Sequence, residues 1–260
     1  MAEAVFIAQG DRYLATELSR GPWNPDAQHG GAPAALLMRA FERLEGEPEL
    51  SIARVTYELL RPVPLGELEL RTEVIRPGRR VQLLEGSLFA PDGTEVVRAR
   101  ALKVRRASVE RVWSADSQPP PPEQGVDSDF NQHGRKMFGG DAMELRFVSG
   151  AFSEVGPATA WFRLRTELVA GERPSSLQRL AAAADFPNGI GSILPWEEFV
   201  FINPDLTIYV EREPVGEWIC LRAEMRVREH GVGFAEAILY DTQGRVGRSL
   251  QALLVTRRTI

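Results

Sequence analysis

The sequence predicts an α+β fold in which two similar units each wrap an antiparallel sheet around a central helix. Three observations predict it. The two halves of the 260-residue chain match each other at a constant spacing, each half carries one helix rich in alanine and leucine, and each helix precedes a run of long strands. The constant spacing is the most specific signal, because a match that persists across several strands is unlikely to arise by chance.

The duplication appears when the segment VTYELLRPVPLGELELRTEVIR of the first half is aligned with LTIYVEREPVGEWICLRAEMRVR of the second. Matching residues lie 151 positions apart; the pairs include Thr56 and Thr207, Arg61 and Arg212, Leu70 and Leu221, Glu73 and Glu224, and Gly93 and Gly244. Between the halves, SADSQPPPPEQGVDSD has the composition of a linker. We therefore predict an N-terminal unit over 1–113, a Pro-rich linker over 114–129 and a C-terminal unit over 130–260.

In the first half, the segment APAALLMRAFERL has apolar residues at helical spacing, and Pro33 is tolerated near its start. The PDGTE segment predicts a hairpin turn between the last two strands. The strands are predicted at 52–60, 66–76, 80–90 and 94–105.

In the second half, a helix is predicted from Ser176, a plausible N-cap, to Phe186, where Pro187 would stop it. The strands are predicted at 203–212, 217–229, 232–241 and 245–257. One long helix followed by an antiparallel meander is typical of a hotdog unit, so two units side by side predict a double hotdog.

Composition excludes several classes of protein. A net charge of −5 argues against general nucleic-acid binding. The sequence has a single cysteine, Cys220, and it has neither an apolar run of membrane-spanning length nor a recognisable signal peptide. These features predict a cytoplasmic protein without membrane association. Three scattered histidines make a metal site improbable, and no other cofactor is predicted. Because exposed sheet edges are commonly covered, we expect a homo-oligomer.

The segment AAAADFPNGIGS places a carboxylate, Asp185, on or beside the apolar face of the second helix and near its C-terminus. Burial and the helix dipole should both raise the pKa of Asp185. A carboxylate placed where it costs stability is a candidate functional group. The alternative interpretation is an Asp at a helix end, turned outward or capping the FPNG turn.

The duplication provides an internal comparison for this and two other polar residues. Subtracting 151 from each residue number gives its counterpart in the first half. Asp185 corresponds to Ala34, Asn203 to Ile52 and Gln251 to Arg100. Gln251 also shares a strand face with Leu253 and Val255, so its amide is expected to point inward. This asymmetry is typical of an enzyme with one working half.

These features together resemble the bacterial type II acyl-CoA thioesterases; the similar segments are the paired halves, HGG, AAADF, DLTIYVER and SLQALL. The resemblance implies a double-hotdog fold and hydrolysis of acyl-CoA to CoA and free acid. It also implies a site in which an Asp, a Thr or Ser, and a Gln hold and activate water. The Asp falls on Asp185 and the Gln on Gln251. The hydroxyl position falls on Asn203 or, with a shifted register, on Thr207.

The chemistry is reasonable from the residues alone. Asp185 with a raised pKa could deprotonate water, and the amides of Asn203 and Gln251 could fix that water. A helix N-terminus supplies N–H donors for the tetrahedral intermediate. Gly30 and Gly31, just before the first helix, would permit close backbone approach to substrate or simply form a tight turn, and His29 is expected near the substrate.

Two other functions remain open from the sequence. The fold could bind acyl-CoA, or another apolar ligand, without hydrolysing it. The segment WNPDAQHGG invites comparison with hotdog-class hydratases of enoyl-CoA, but Pro22 stands where their Asp should be, and His29 follows Pro25 by four residues rather than two. Two basic clusters, RPGRR and RARALKVRR, would suit the phosphates of CoA or would form solvated strand faces.

Overall fold

The computed structural model describes residues 3–44, 47–110, 117–128 and 134–258. In the first half the elements are β1 (Ala4–Gln9), β2 (Arg12–Ala15), α1 (Gly31–Arg43), β3 (Leu50–Leu59), β4 (Gly66–Arg76), β5 (Val81–Phe89) and β6 (Glu95–Arg105). From the linker onward they are β7 (Val126–Asp127), β8 (Met143–Ser149), β9 (Ala158–Leu164), β10 (Glu167–Val169), α2 (Ser176–Ala183), α3 (Pro187–Ile190), β11 (Phe199–Ile202), β12 (Asp205–Val210), β13 (Trp218–Val227), β14 (Val232–Asp241) and β15 (Gly244–Arg257).

The strands form one sheet in the order β10-β1-β2-β4-β5-β6-β3-β12-β15-β14-β13-β9-β8-β7, and β11 pairs with β15 beside this path. The strand order is symmetric about the centre of the sheet, where β3 and β12 pair in antiparallel orientation. There Thr56 lies opposite Thr207, its own counterpart in the duplication, and the two hydroxyls are 3.2 Å apart. The local two-fold relation between the halves therefore passes between these threonines, and the predicted double hotdog is confirmed.

Strand pairing corrects one alignment made by subtraction. Thr56 pairs with Arg100 across β3 and β6, whereas Thr207 pairs with Leu250 across β12 and β15. The counterpart of Arg100 is therefore Leu250, and Gln251 corresponds to the buried Ala101. The hairpin that leads into β6 is one residue longer than the hairpin that leads into β15, which is why a spacing of 151 fails there.

The same pairing supports the match of Asn203 with Ile52. Ile202 pairs with Leu254, and Ser51 pairs with Val104 at the equivalent place in the first half. The next residues along the chain, Asn203 and Ile52, therefore occupy corresponding positions.

The helices lie inside the sheet and pack against each other. Helix α1 is buried from Gly31 through Phe41, as expected for a central helix. Helix α2 differs from its prediction, because the N-cap is Ser175, whose hydroxyl accepts a hydrogen bond from the N–H of Gln178. It also ends at Ala183, and Pro187 begins the short helix α3 instead of stopping α2.

The two N-caps, Gly30 and Ser175, give the better alignment of the helices. Ten residues after each cap, Ala40 corresponds to Asp185, so the earlier match with Ala34 was wrong. The residues that follow, Phe41 and Phe186, are both buried phenylalanines.

The described part of the predicted linker, residues 117–128, packs against the second half. The indole N–H of Trp161 donates to the carbonyl of Pro120, and Val126 pairs with Phe147 through β7 and β8. Residues 114–116 and 129 lie outside the described residues. The division into units at 113/114 and 129/130 stays a prediction.

Candidate functional site

Asp185 lies between α2 and α3, at the point where the chain leaves the central helix of the second half. The residue is 4% exposed. Its Oδ1 accepts hydrogen bonds from Asn203 Nδ2 at 2.8 Å and from Gln251 Nε2 at 2.9 Å. The structure thus brings together three residues that are separated in sequence and were predicted to act together.

The other carboxyl oxygen, Oδ2, faces the N-terminus of α1. The N–H of Gly31, which donates to Nδ1 of His29, also lies close enough to this carboxyl to favour its charged form. A Cβ at Gly30 would lie 2.6 Å from Oδ2, and a Cβ at Gly31 would lie 2.5 Å from the carbonyl oxygen of Ala182. Both glycines are therefore required by the close approach of α1 to the end of α2, which a larger residue would prevent.

Burial raises the pKa of Asp185 to about 7. The hydrogen bonds from Asn203 and Gln251 and the nearby N–H of Gly31 favour the charged form and oppose this rise, but removal from water has the larger effect. A carboxyl with a pKa near 7 is well suited to accept a proton at neutral pH.

His29 lies beside the same carboxyl, with Nδ1 at 3.2 Å from Asp185 Oδ2. Its ring stacks between Phe186 and Phe138, with centroid distances of 4.3 and 5.3 Å. Burial lowers the pKa of His29 to about 3, so the ring is neutral at pH 7 and is not a counter-ion for Asp185. Its Nδ1 accepts a hydrogen bond from the N–H of Gly31 at 3.0 Å, so an acceptor nitrogen faces Oδ2.

Asn188 was missed as a site residue because the FPNG segment was interpreted only as a turn. Its N–H donates to Gln251 Oε1 at 3.2 Å, and its Nδ2 lies 3.4 Å from Asn203 Oδ1. With their oxygens satisfied in this way, the amides of Gln251 and Asn203 turn their nitrogens toward Asp185. The sequence signal that could have identified Asn188 is a polar residue placed three positions after Asp185 in an apolar segment.

A cavity of about 300 Å³ opens beside Asp185. Its polar wall includes His29, Gly30, Asn188 and Asn203. Most of the remaining wall is apolar and aromatic, and its members include Trp23, Leu59, Val63, Phe152, Phe186, Trp196 and Ile202. An apolar cavity with a few converging polar groups is the usual form of a small-molecule site.

The predicted site residues do not all reach this cavity. Asp185, Asn203, His29 and Gly30 line it, whereas Gln251 is fully buried behind Asp185 and Gly31 contacts the carboxyl from the helix. Thr207 is not brought to the site, because its side chain lies at the junction of β3 and β12 and bonds to Thr56. The alternative placement of the hydroxyl position on Thr207 therefore gives way to Asn203.

Two further findings concern metals and membranes. In the part of the chain that the structure describes, no cluster of three His, Cys, Asp or Glu side chains could hold a metal ion. Within the same ranges, none of the helices has the length and apolarity that a membrane crossing requires.

Solved structures similar to this chain have the same architecture. A candidate thioesterase II from Thermobifida fusca is 18% identical, with a TM-score of 0.77, over 97% of this chain and 95% of that one. A protein with a hotdog fold from Alicyclobacillus acidocaldarius is 16% identical, with a TM-score of 0.75, over 98% and 96%. The acyl-CoA thioesterase II TesB2 from Mycobacterium marinum is 14% identical, with a TM-score of 0.68, over 100% and 96%.

Sequence comparison identifies the family. No curated protein matches significantly. However, a family model described as the acyl-CoA thioesterase N-terminal domain matches residues 19–104, and one described as the acyl-CoA thioesterase C-terminal domain matches residues 114–255. The chain therefore belongs to the acyl-CoA thioesterase family.

Proposed function

We propose that this thioesterase hydrolyses a fatty acyl-CoA to free acid and CoA, with Asp185 as the general base. The observation that carries the proposal is a buried carboxyl with a pKa of about 7 in the wall of an apolar cavity. Oδ1 is held by Asn203 and Gln251, so Oδ2 is the oxygen with capacity to accept a proton. The apolar remainder of the cavity suits an acyl chain.

In the proposed reaction, a water in the cavity attacks the thioester carbonyl carbon and transfers a proton to Asp185. The carbonyl π electrons move to oxygen, which becomes the oxyanion of a tetrahedral intermediate. In the described part of the chain, no hydrogen bond engages the N–H of Gly30, which lies at the start of α1 in the cavity wall, and we propose that this group stabilises the oxyanion. The C–S bond then breaks, and protonated Asp185 returns its proton to the departing CoA sulfur.

The amide residues have different roles in this account. Asn203 lines the cavity and donates to Oδ1, so it can contact both substrate water and base. Gln251 is buried behind the carboxyl, so we propose that it is a positioning residue that fixes Asp185. Asn203 thereby supplies the hydrogen-bond donor at the position where the sequence resemblance implies a Thr or Ser.

The test measures release of free thiol from a panel of short to long acyl-CoAs by the wild type and by Asp185→Asn. Loss of the base should reduce turnover at least ~10²-fold. The matched control is Asp11→Asn, because Asp11 is an exposed residue of the turn between β1 and β2 and does not line the cavity. Thermal unfolding of each variant verifies that the fold is intact.

The outcomes separate the alternatives. Equal rates for wild type and Asp185→Asn would place the chemistry elsewhere. Absence of thiol release from every substrate, with measurable acyl-CoA binding, would favour the non-catalytic ligand-binding function. The buried carboxyl argues against that function, since a protein that only binds acyl-CoA has no need for a group with this pKa.

A homo-oligomer in the cytoplasm is also part of the proposal. The outer face of β14 and β15 supports association, because Val232 and Leu254 pair across these strands and are 55% and 61% exposed. Static light scattering should give a multiple of 28.9 kDa. A mass equal to one chain would contradict this part.

A further inference from the structure

Arg61 lies just after β3, at the mouth of the cavity, and its side chain is exposed. Among the described residues that line the cavity, it is the one with a permanent positive charge. Within the described ranges, no hydrogen bond or ion pair engages its guanidinium. The nearby Asp92 feels its charge, since Arg61 helps to lower the pKa of Asp92, but that carboxylate accepts the N–H of Thr94.

The duplication provides a counterpart that shows what this arginine does when it is structural. Arg212 holds the equivalent place after β12, and the local backbone is the same. The N–H of Leu60 donates to the carbonyl of Val96 at 3.0 Å, and the N–H of Glu211 donates to that of Val246 at 2.8 Å. The guanidinium of Arg212, however, makes two hydrogen bonds of 2.6 Å to the carboxylate of the buried Asp241.

The first half has no such carboxylate. The pairing of β5 with β6 is irregular between Leu88 and Phe89, and the pairing of β14 with β15 is irregular between Leu239 and Tyr240. These irregularities are 151 residues apart, so the residue that corresponds to Asp241 is Ala90. One copy of the arginine is therefore held in an ion pair with a buried carboxylate, and the other is left free at the mouth of the cavity.

We infer that Arg61 binds a phosphate of the CoA part of the substrate and so determines the preference for CoA thioesters. A guanidinium stays charged at all working pH values and binds phosphate through two parallel hydrogen bonds. The acyl chain suits the apolar cavity, which leaves the phosphate-bearing end of the thioester outside, where Arg61 lies. The identity of the thioester rests on the proposed function.

The basic clusters noted in the sequence are weaker candidates. Arginines of the second cluster are engaged in ion pairs: Arg98 with Glu95, Arg100 with Glu85 and Arg105 with Glu49. The first cluster, around Arg79, follows β4 and does not line the cavity. Arg79→Gln is therefore a matched control, since it removes the same charge from another exposed position.

The direct test is calorimetric binding of CoA alone, compared with binding of pantetheine, which lacks the phosphates. Arg61→Gln should weaken CoA binding about tenfold, while pantetheine binding changes much less and Arg79→Gln has no specific effect. Equal losses for CoA and pantetheine, or equal losses in the two arginine variants, would overturn the inference.

Ala90→Asp provides a second test, because it restores the carboxylate that holds Arg212 in the other half. This variant should also weaken CoA binding, since Asp at position 90 would pair with Arg61. In the Arg61→Gln background the same substitution should add little. If Ala90→Asp weakened binding equally in both backgrounds, general repulsion rather than pairing would explain it, and the inference would lose this support.

A kinetic comparison separates this inference from the proposed function. In Arg61→Gln, the ratio of kcat/KM for an acyl-CoA to that for the same acyl thioester of N-acetylcysteamine should fall about tenfold. Hydrolysis with an unchanged ratio would leave the proposed function standing and reject the role of Arg61. Arg61-dependent CoA binding without hydrolysis would do the reverse. A loss confined to acyl groups that carry a distal carboxylate would assign Arg61 to the acyl end and overturn the inference.

Discussion

The properties of Asp185 depend on a few contacts made by single residues. Burial raises its pKa to about 7, while donors from Asn203 and Gln251 hold Oδ1 and keep the pKa from rising further. The carboxyl therefore remains able to lose its proton near neutral pH although it is almost inaccessible. A neutral His29, stacked between two aromatic rings, completes the surroundings without adding charge.

Removal of the Gln251 amide should change the pH dependence as well as the rate. In Gln251→Met, Asp185 loses one donor to Oδ1, so its pKa rises and the midpoint of the kcat/KM profile should move above pH 7. The matched control is Gln82→Met, a buried glutamine of β5. A lower rate with an unmoved midpoint would show that Gln251 has only a structural role.

Sequence reasoning selected most residues of the candidate site because the two halves carry different residues at positions where polar side chains are expected to act. Asp185, Asn203 and Gln251 stood out as polar residues whose counterparts are not equivalent, and the structure places them in contact. Asn188 could not be found in this way, because its part depends on hydrogen bonds to residues 15 and 63 positions away. The alternative that put the hydroxyl position on Thr207 could not be judged from sequence. That side chain bonds to Thr56 where β3 meets β12, and this contact between the two halves depends on the tertiary structure.

At the scale of elements, the site depends on the approach of the N-terminus of α1 to the end of α2. Helix α1 and the strands β3 to β6 and β12 to β15 could be predicted to within a few residues from alternation and helical spacing, whereas no bounds were predicted for β1, β2 and β7 to β11. The end of α2 could not, because Pro187 is equally compatible with the first turn of a new helix. The sequence did not reveal the one-residue difference between the hairpins that lead into β6 and β15. Gly93 and Gly244 in those hairpins lie 151 residues apart, whereas corresponding residues of β6 and β15 lie 150 apart.

Gly30→Ala tests this approach of the two helices. The backbone at Gly30 has φ −59°, which alanine adopts without strain, so the effect comes from its Cβ, 2.6 Å from Asp185 Oδ2. We expect at least about a tenfold loss of kcat/KM, because small displacements in a catalytic arrangement have large effects. Thiol release is the assay, with thermal unfolding as the check on folding. Wild-type activity would show that the spacing of α1 and Asp185 is not critical.

At the scale of the molecule, two copies of one unit share a sheet but carry different residues at the positions of the candidate site. The two-fold relation passes between Thr56 and Thr207, and around it the second half holds the polar site. In the first half the corresponding positions are Ala40, Ile52 and Ala101, none of which can act on water. The overall architecture was predictable because duplication and strand patterns are properties of the whole sequence. The wall of the cavity was not, because it combines segments from both halves.

The buried carboxyl should also affect stability. The pKa of Asp185 is about 7 in the folded protein against an ordinary value of 3.8. The protonated carboxyl thus favours folding, and this contribution, complete below pH 3.8, is lost as the pH rises through 7. Asp185→Asn imitates the protonated form, so its free energy of unfolding relative to wild type should increase by about 2–3 kcal/mol between pH 5 and pH 8.

Urea unfolding of both proteins at the two pH values measures that difference. An advantage of Asp185→Asn that is the same at pH 5 and pH 8 would mean that the pKa of Asp185 is not raised by folding. A variant that is more stable and less active would show that the site is maintained at the expense of stability.

The pH dependence of kcat/KM for the best acyl-CoA substrate tests the central claim most directly, since it reports ionisation in the free enzyme. If Asp185 is the general base, kcat/KM rises with pH with a slope of one and reaches a plateau, with a midpoint near the pKa of about 7. A profile that is flat between pH 5 and pH 9, or that falls as the pH increases, would contradict the assignment of Asp185 as the base.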